Sequence, residues 1–325
     1  MDEARDVQLE FHKKIAGQNL SALWVARRGV DLTKPRSEAA AWLWHYGDVR
    51  PSLMEAGEIV TARDAFRRVL ALSNPTWPNE MRATNTLYCG LQLVRPGELA
   101  PCHRHTQTAI RFVIEGEGAI TSVDGQRTRM SPGDFVVTSG WTWHDHVNEG
   151  QEPVVWLDCL DTPLVGFLDV AFREGYPEER HPGRPAGIGD NRRAPLNYAY
   201  KEMRGALMRA VAGGDVDPAH GTRLRYTNPL TGASPTPTIG AMLRYLPKGF
   251  DGTPARSTDG TVYVCVEGGG RTEIERESFV WGPRDIFVVP GWKQFRHTAD
   301  RDSVLFSLSD RPVQEALGLW REERA

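Results

Sequence analysis

Gly97-Glu98-Leu99-Ala100-Pro101-Cys102-His103-Arg104-His105 opens the stretch on which the reading of this chain turns. Arg111-Phe112-Val113-Ile114-Glu115-Gly116-Glu117-Gly118 follows, then Gly133-Asp134-Phe135-Val136-Val137, then Trp141-Thr142-Trp143-His144-Asp145-His146. Short apolar runs cut by Gly, Pro and Asp at this spacing predict an antiparallel β-sandwich or barrel. In His103-Arg104-His105 the imidazoles are two apart, which on a strand places both on one face. His144 and His146 repeat the spacing about 40 residues later. Two such pairs on strands of one barrel can converge on a single ion, and imidazole is the commonest metal ligand.

Outward from this stretch, the texture runs from 86 to 162 and returns from 240 to 309. The two regions match. Gly97 corresponds to Gly249, Glu115-Gly116-Glu117-Gly118 to Glu267-Gly268-Gly269-Gly270, Asp134 to Asp285, Trp141 to Trp292, and Asp161-Thr162-Pro163 to Asp310-Arg311-Pro312. The offset drifts only from 152 to 149 residues, which is an internal duplication. The second copy is also a control. Where the first has His103, His105 and His144, the second has Ala255, Ser257 and Phe295, while the glycines persist. The fold therefore does not require those histidines, and a core-histidine reading gives way to metal binding.

Elsewhere, residues 3–28 read as helix. A helix is predicted over 61–72, where Thr61 and Asp64 form a capping box, Asn74-Pro75 stops it, and Arg63 and Arg67 share a face. Residues 174–195 are rich in Pro, Gly and Arg and read as a linker, followed by helix at 198–212 and a helical tail at 312–325.

The whole chain has 325 residues, 40% hydrophobic and 25% charged, which excludes disorder and coiled coil. A net charge of -3 gives no electrostatic case for nucleic acid. Arginine outnumbers lysine 33 to 6, so a lone Arg is weak evidence. No apolar run reaches the roughly 18 residues of a membrane span, and the N-terminus lacks signal-peptide character. Cys89, Cys102, Cys159 and Cys265 have no framework spacing and read as free thiols. A cytoplasmic location with no membrane partner is expected.

Gly97, then His103-x-His105 and Gly118, resembles the first cupin motif; Gly133, His144 and Asn148 resemble the second. Cupins are double-stranded β-helices of the jelly-roll type. Most metal cupins carry a glutamate shortly after the HxH, where this chain has Thr108 and Ala109. That departure, the 111–116 and 141–146 stretches, Met54-Glu55-Ala56-Gly57-Glu58 and Leu91-Gln92-Leu93 together resemble the gentisate/salicylate 1,2-dioxygenase family. The resemblance implies an all-β bicupin, two jelly-roll domains with N-terminal, linker and C-terminal helices. Its parts are an N-terminal helical region at 1–80, a catalytic cupin at 81–173, a linker and short helix at 174–235, a degenerate metal-free cupin at 236–311, and a C-terminal helix at 312–325.

The resemblance also implies a function: Fe(II)-dependent use of O2 to split the C1–C2 bond of a small aromatic hydroxy acid, namely gentisate, salicylate or a 5-substituted salicylate such as 5-nitrosalicylate. The alternatives are 1-hydroxy-2-naphthoate cleavage and a non-catalytic metal-binding cupin that holds aromatic acids. An oxalate-type decarboxylase is disfavoured by the missing glutamate. Homo-oligomers, often tetramers, are implied as well. Three neutral histidines (His103, His105, His144) leave the charge of Fe(II) uncompensated, and an ortho-hydroxybenzoate supplies a matching carboxylate and phenolate. Arg111, whose counterpart is Tyr263, is the expected anion-binding fork. His146 is the expected acceptor of the phenol proton, with Asp158 orienting it. Gln92, Tyr88, Gly90, Arg63 and Arg67 are expected at the substrate, Gly90 by leaving room in the pocket wall; Trp141, Trp143 and Trp156 read as core.

Overall fold

The computed structural model describes residues 2–26, 33–78, 80–183 and 196–324. Residues Met1–Arg36 and Ser37–Ala325 form separate compact units. In the first, the helix expected over 3–28 is two pieces, α1 (Asp2–Ala16) and α2 (Leu23–Ala26). Gly17 and the left-handed Asn19 (φ 55°) end α1. Positions 27 and 28 lie outside the described residues.

The larger unit begins with β1 (Trp42–Trp44), α3 (Tyr46–Ile59) and α4 (Ala62–Ala65). The helix expected over 61–72 is thus only one turn. Thr61 does cap it, its Oγ1 accepting the Asp64 N–H at 3.1 Å. Phe66, with φ 56°, then breaks the helix, and Val69–Ala71 is a strand, β2. A β-branched and leucine-containing tripeptide with a neighbouring sheet edge to pair with prefers the sheet.

The first jelly roll continues with β3 (Tyr88–Val94), β4 (Leu99–His105), β5 (Ala109–Glu115), β6 (Ala119–Val123), β7 (Gln126–Arg129), β8 (Phe135–Thr138), β9 (His144–Asn148) and β10 (Val154–Leu160). After α5 (Thr162–Phe167) come β11 (Arg173–Gly175), β12 (Asn197–Tyr198) and α6 (Tyr200–Ala212). The second runs β13 (Thr222–Arg225), β14 (Gly240–Leu246), β15 (Ala255–Ser257), β16 (Thr261–Glu267), β17 (Gly270–Ile274), β18 (Glu277–Trp281), β19 (Ile286–Val289), β20 (Phe295–Ala299) and β21 (Ser303–Ser309), then α7 (Arg311–Ala316) and β22 (Glu322–Arg324). Two further expectations are corrected here. The stretch read as a linker from 174 begins inside β11, which pairs with His103–His105 on β4. The tail is a six-residue helix followed by a strand on β15, not one helix.

Each copy is a six-stranded sheet facing a five-stranded one. The orders are β12-β8-β5-β10-β3-β2 over β11-β4-β9-β6-β7, and β1-β19-β16-β21-β14-β13 over β18-β17-β20-β15-β22. The outermost strands are exchanged: β1 precedes the first jelly roll but pairs with β19 of the second, while β12 pairs with β8 of the first. The helices follow suit. Tyr46 N–H, at the start of α3, donates to Asp285, and Tyr200 N–H, at the start of α6, donates to Asp134, both at 2.9 Å. Arg50 pairs with Glu115 and Arg204 with Glu267. The duplication therefore includes a strand and a helix that the sequence comparison did not match.

The two six-stranded sheets pack face to face. Leu91, Phe112, Ile114, Phe135 and Leu157 meet Leu243, Val264, Ile286, Phe306 and Leu308 in one core. Phe112 stacks on Phe306 with centroids 4.0 Å apart. Period-2 alternation explains the result: Ile110, Phe112 and Ile114 point to the other copy, whereas Arg111 and Val113 point into the barrel. Both faces of β5 are buried, hence its unbroken apolar run.

Candidate active site

His103 and His105 come from β4 and His144 from β9. These strands pair, with His103 opposite His144, so three imidazoles face one another across a two-strand ladder. Their ligand nitrogens all lie within 4.8 Å of one another. It is the one such group among the described residues. Backbone carbonyls fix the rings: His105 Nδ1 faces Gln107 O at 2.8 Å and His144 Nδ1 faces Thr142 O at 3.0 Å. A carbonyl only accepts, so Nδ1 carries the proton and Nε2 is left with a free lone pair, the arrangement usual at metal sites. His103 Nδ1 has two competing neighbours, the Pro101 carbonyl at 3.3 Å and Arg67 Nη2 at 2.6 Å. Arginine can only donate. Ligation through His103 Nε2 requires the Pro101 bond instead.

Burial keeps these rings neutral. Desolvation, then the Arg67 charge, pushes His103 down to about 2, and desolvation pushes His105 down to about 4. His144 lies well below the ordinary value for the same leading reason. Neutral imidazole is the ligating form, so the donor set fits a metal ion. In the second copy, Ala255 pairs with Phe295 where His103 pairs with His144. Ala255 and Phe295 are core there, and neither side chain offers a metal ligand.

A cavity of about 620 Å³ opens over the triad, walled by Arg67, Tyr88, Gln92, Arg111, Asp158 and Phe172 among others. Arg111 is almost fully buried. Its Nη1 donates to Thr138 Oγ1 at 2.7 Å, and its Nε stands 3.4 Å from Asp158 Oδ1. Desolvation lowers the guanidinium from its usual value, against the attraction of Asp158. Desolvation likewise raises the Asp158 carboxyl, which Arg111 opposes. Arg67 Nη2 also donates to Pro101 O at 2.8 Å, and burial brings its guanidinium down to about 9.

The structure thus brings together at one cavity His103, His105, His144, Arg67, Tyr88, Gln92, Arg111 and Asp158. Arg67 lines the cavity of its own chain and does not share a helical face with Arg63, because α4 ends at Ala65. Arg63 is in α4; its side chain lies outside the described residues. Gly90 is not in the wall. A Cβ there would stand 2.6 Å from both the Tyr88 hydroxyl and Val69 Cγ1, so the room it leaves is taken by protein. His146 is fully buried behind the wall, Nδ1 at 2.8 Å from Thr121 Oγ1 and Nε2 without a protein partner. Asp158 pairs with Arg111 rather than orienting His146; Thr121 does that. Trp156 is core, but Trp141 and Trp143 are only half-buried and carry Arg104 stacked against both. Sequence reasoning missed Thr138, Phe66 and Arg173. Phe66 meets His103 edge-on and lies under Arg67 and Arg173. Thr138 was findable: its counterpart in the second copy is Val289.

Residues 90–160 match the cupin domain family. Over 332 residues the chain is 45% identical to gentisate 1,2 dioxygenase 1 of Aquipseudomonas alcaligenes, covering 97% of this chain and 96% of that one. The chain belongs to the gentisate/salicylate 1,2-dioxygenase family. It is also 36% identical to 5-aminosalicylate 1,2-dioxygenase of Comamonas sp, covering 96% of this chain and 89% of that one. The crystal structure of salicylate 1,2-dioxygenase from Pseudaminobacter salicylatoxidans superposes with a TM-score of 0.89 at 30% identity, over 98% of this chain and 97% of that one. The fold of this family member is a bicupin, and the protein is a ring-cleaving dioxygenase that uses a metal cofactor, an aromatic substrate and O2. No helix among the described residues is long and apolar enough to cross a membrane.

Proposed function

We propose that this dioxygenase uses Fe(II), held by His103, His105 and His144, to cleave the C1–C2 bond of a 2-hydroxybenzoate of the gentisate, salicylate or 5-substituted salicylate type. The observation that carries the proposal is the placement of a three-imidazole donor set and two guanidiniums, the buried Arg111 and the half-buried Arg67, around one cavity. When bound, the metal supplies a Lewis-acid centre at which ring and O2 are held together and electron density passes between them.

The chain's own residues supply recognition. Three neutral ligands add no negative charge, so an anionic chelate with adjacent carboxylate and phenolate complements the site. Arg111 offers a planar fork to the substrate's anionic group in a desolvated pocket, where such a pair is strong. Gln92, on β3 beside β10, offers an amide to the same cavity. Tyr88 closes one side of the ring slot. His146 is the candidate acceptor of the phenol proton: its Nε2 is unpartnered and its ring centroid lies 5.7 Å from that of His144, one layer behind the cavity wall. A homo-oligomer, tetrameric as the resemblance implies, in the cytoplasm completes the proposal.

The test is oxygen uptake by Fe(II)-loaded protein across gentisate, salicylate, 5-amino-, 5-nitro- and 5-halosalicylate, with benzoate, phenol and 3-hydroxybenzoate as controls. Only ortho-hydroxybenzoates should consume oxygen, with one iron per chain by metal analysis. Uptake with 3-hydroxybenzoate, or full activity with another metal and no iron, would overturn the proposal. With the space at Gly90 filled by protein, nothing in that residue argues for turnover without a 5-hydroxyl; gentisate heads the panel.

A further inference from the structure

We propose that Thr138 is a positioning residue for the reaction: it holds the Arg111 guanidinium in the orientation that meets the substrate's anion. This rests on the reading of Arg111 given above. Arg111 sits opposite Val136, and Thr138 is two residues further along the same strand, so the arginine reaches diagonally across the β5–β8 ladder. Such diagonal neighbours are separated by about 7–8 Å, a span that a long side chain covers. The Nη1–Oγ1 contact of 2.7 Å is a good hydrogen bond, whereas the 3.4 Å from Nε to Asp158 is too long for one. Asp158 therefore supplies charge and Thr138 supplies direction. Thr138 suits the task because its β-branched side chain is stiff at χ1 and is fully buried.

The duplicated copy shows that the scaffold has no need of this arrangement. The registers equate Arg111, Thr138 and Asp158 with Tyr263, Val289 and Ser307: Asp158 faces Arg111 as Ser307 faces Tyr263, and Ala109 faces Thr138 as Thr261 faces Val289. Where the guanidinium is gone, the hydroxyl beside it is gone too. Tyr263 instead stacks on Phe287, and Val289 joins the core. A hydroxyl kept for β8 itself would have no reason to disappear with the arginine.

Thr138→Val is nearly isosteric and copies the second jelly roll; Thr138→Ser restores the acceptor. Four quantities are read: metal content, oxygen-uptake kcat/KM, anaerobic binding of salicylate by its fluorescence, and the Arg111 Nε–H resonance in 15N spectra, assigned by its loss in Arg111→Lys. Thr138→Val should keep its metal, lose about 10- to 100-fold in kcat/KM and in salicylate affinity, and shift or broaden the Arg111 resonance. Thr138→Ser should recover most of each. In an Arg111→Lys background, Thr138→Val should cost little more. Wild-type kinetics in Thr138→Val, an undisturbed Arg111 resonance, loss of metal, or a full additional loss on top of Arg111→Lys would each overturn the proposal. A wild-type protein that neither binds nor oxidises any hydroxybenzoate would overturn the functional reading instead, and the Arg111 resonance would still decide whether Thr138 holds the guanidinium.

Discussion

Gly90 shows how a single residue can be read correctly as special and wrongly in purpose. Its missing side chain admits the Tyr88 hydroxyl and Val69, and Tyr88 is in the cavity wall. Gly90→Ala should therefore push Tyr88 and reshape the slot for the ring, changing the ratio of kcat/KM between gentisate and 5-substituted salicylates. Overpacking of this kind costs about 1–3 kcal/mol, read as a lowered denaturant midpoint. A variant with unchanged stability and unchanged substrate ratios would show that Tyr88 yields freely. The triad histidines carry a second prediction. Folding depresses their pKa values, to about 2 for His103 and about 4 for His105. In the unfolded chain they titrate near 6.5. Between those values the unfolded state binds more protons, so the stability they contribute is complete above about pH 6.5 and is lost as pH falls. Metal-free protein should lose stability steadily from pH 7 to pH 4, in urea melts at fixed ionic strength. A midpoint constant over that range would mean that the rings are not held neutral.

Strands account for most of what the sequence disclosed. The HxH spacing, the glycine punctuation and the second copy marked 86–162 and 240–309 as strand regions, which hold β3 to β10 and β14 to β21, because alternation and turn residues are local signals. The helix expected over 61–72 failed because β2 is decided by a partner, β3, that lies outside the window. β11 and β22 were hidden for the same reason: each is three residues long and exists only as an addition to a sheet edge. The exchange of β1 and β12 between copies has no local signal at all. Within the site, the three-histidine cluster was legible because its counterparts are Ala255, Ser257 and Phe295, whereas Asp158, expected beside His146, is set opposite Arg111 by register, not spacing. The paired strands also separate scaffold from chemistry at His146. Thr121–His146 on β6 and β9 is matched by Thr272–His297 on β17 and β20, each at 2.8 Å and fully buried. His146→Gln and His297→Gln should lower the melting temperature alike. Only His146→Gln should also reduce turnover of the metal-loaded enzyme. Equal loss of turnover in both would return His146 to a scaffold role.

Across the whole molecule, the second copy is half of the wall that the first copy is built against. The two six-stranded sheets share one core, and ties run both ways around it. Asp161 accepts from Thr238 at 2.6 Å, and Asp310 accepts from Thr86 at 2.9 Å. Arg111, Gln92 and Asp158 project into the barrel from the strands whose other face makes that core, so the site inherits its rigidity from the neighbour. The two jelly rolls should then unfold as one unit despite their separate barrels. Phe306 is the residue to test, since it belongs to the second copy and stacks on Phe112 at the centre of the shared core. Phe306→Ala should cost about 3–5 kcal/mol, as truncation of a buried aromatic does. Because the core is shared, loss of metal and loss of secondary structure should occur at the same, lowered denaturant concentration, with metal release followed by a chromogenic chelator and folding by circular dichroism. Two separated transitions, with the metal retained through the first, would show that the second jelly roll can unfold while leaving the site standing, and that the catalytic copy does not depend on it.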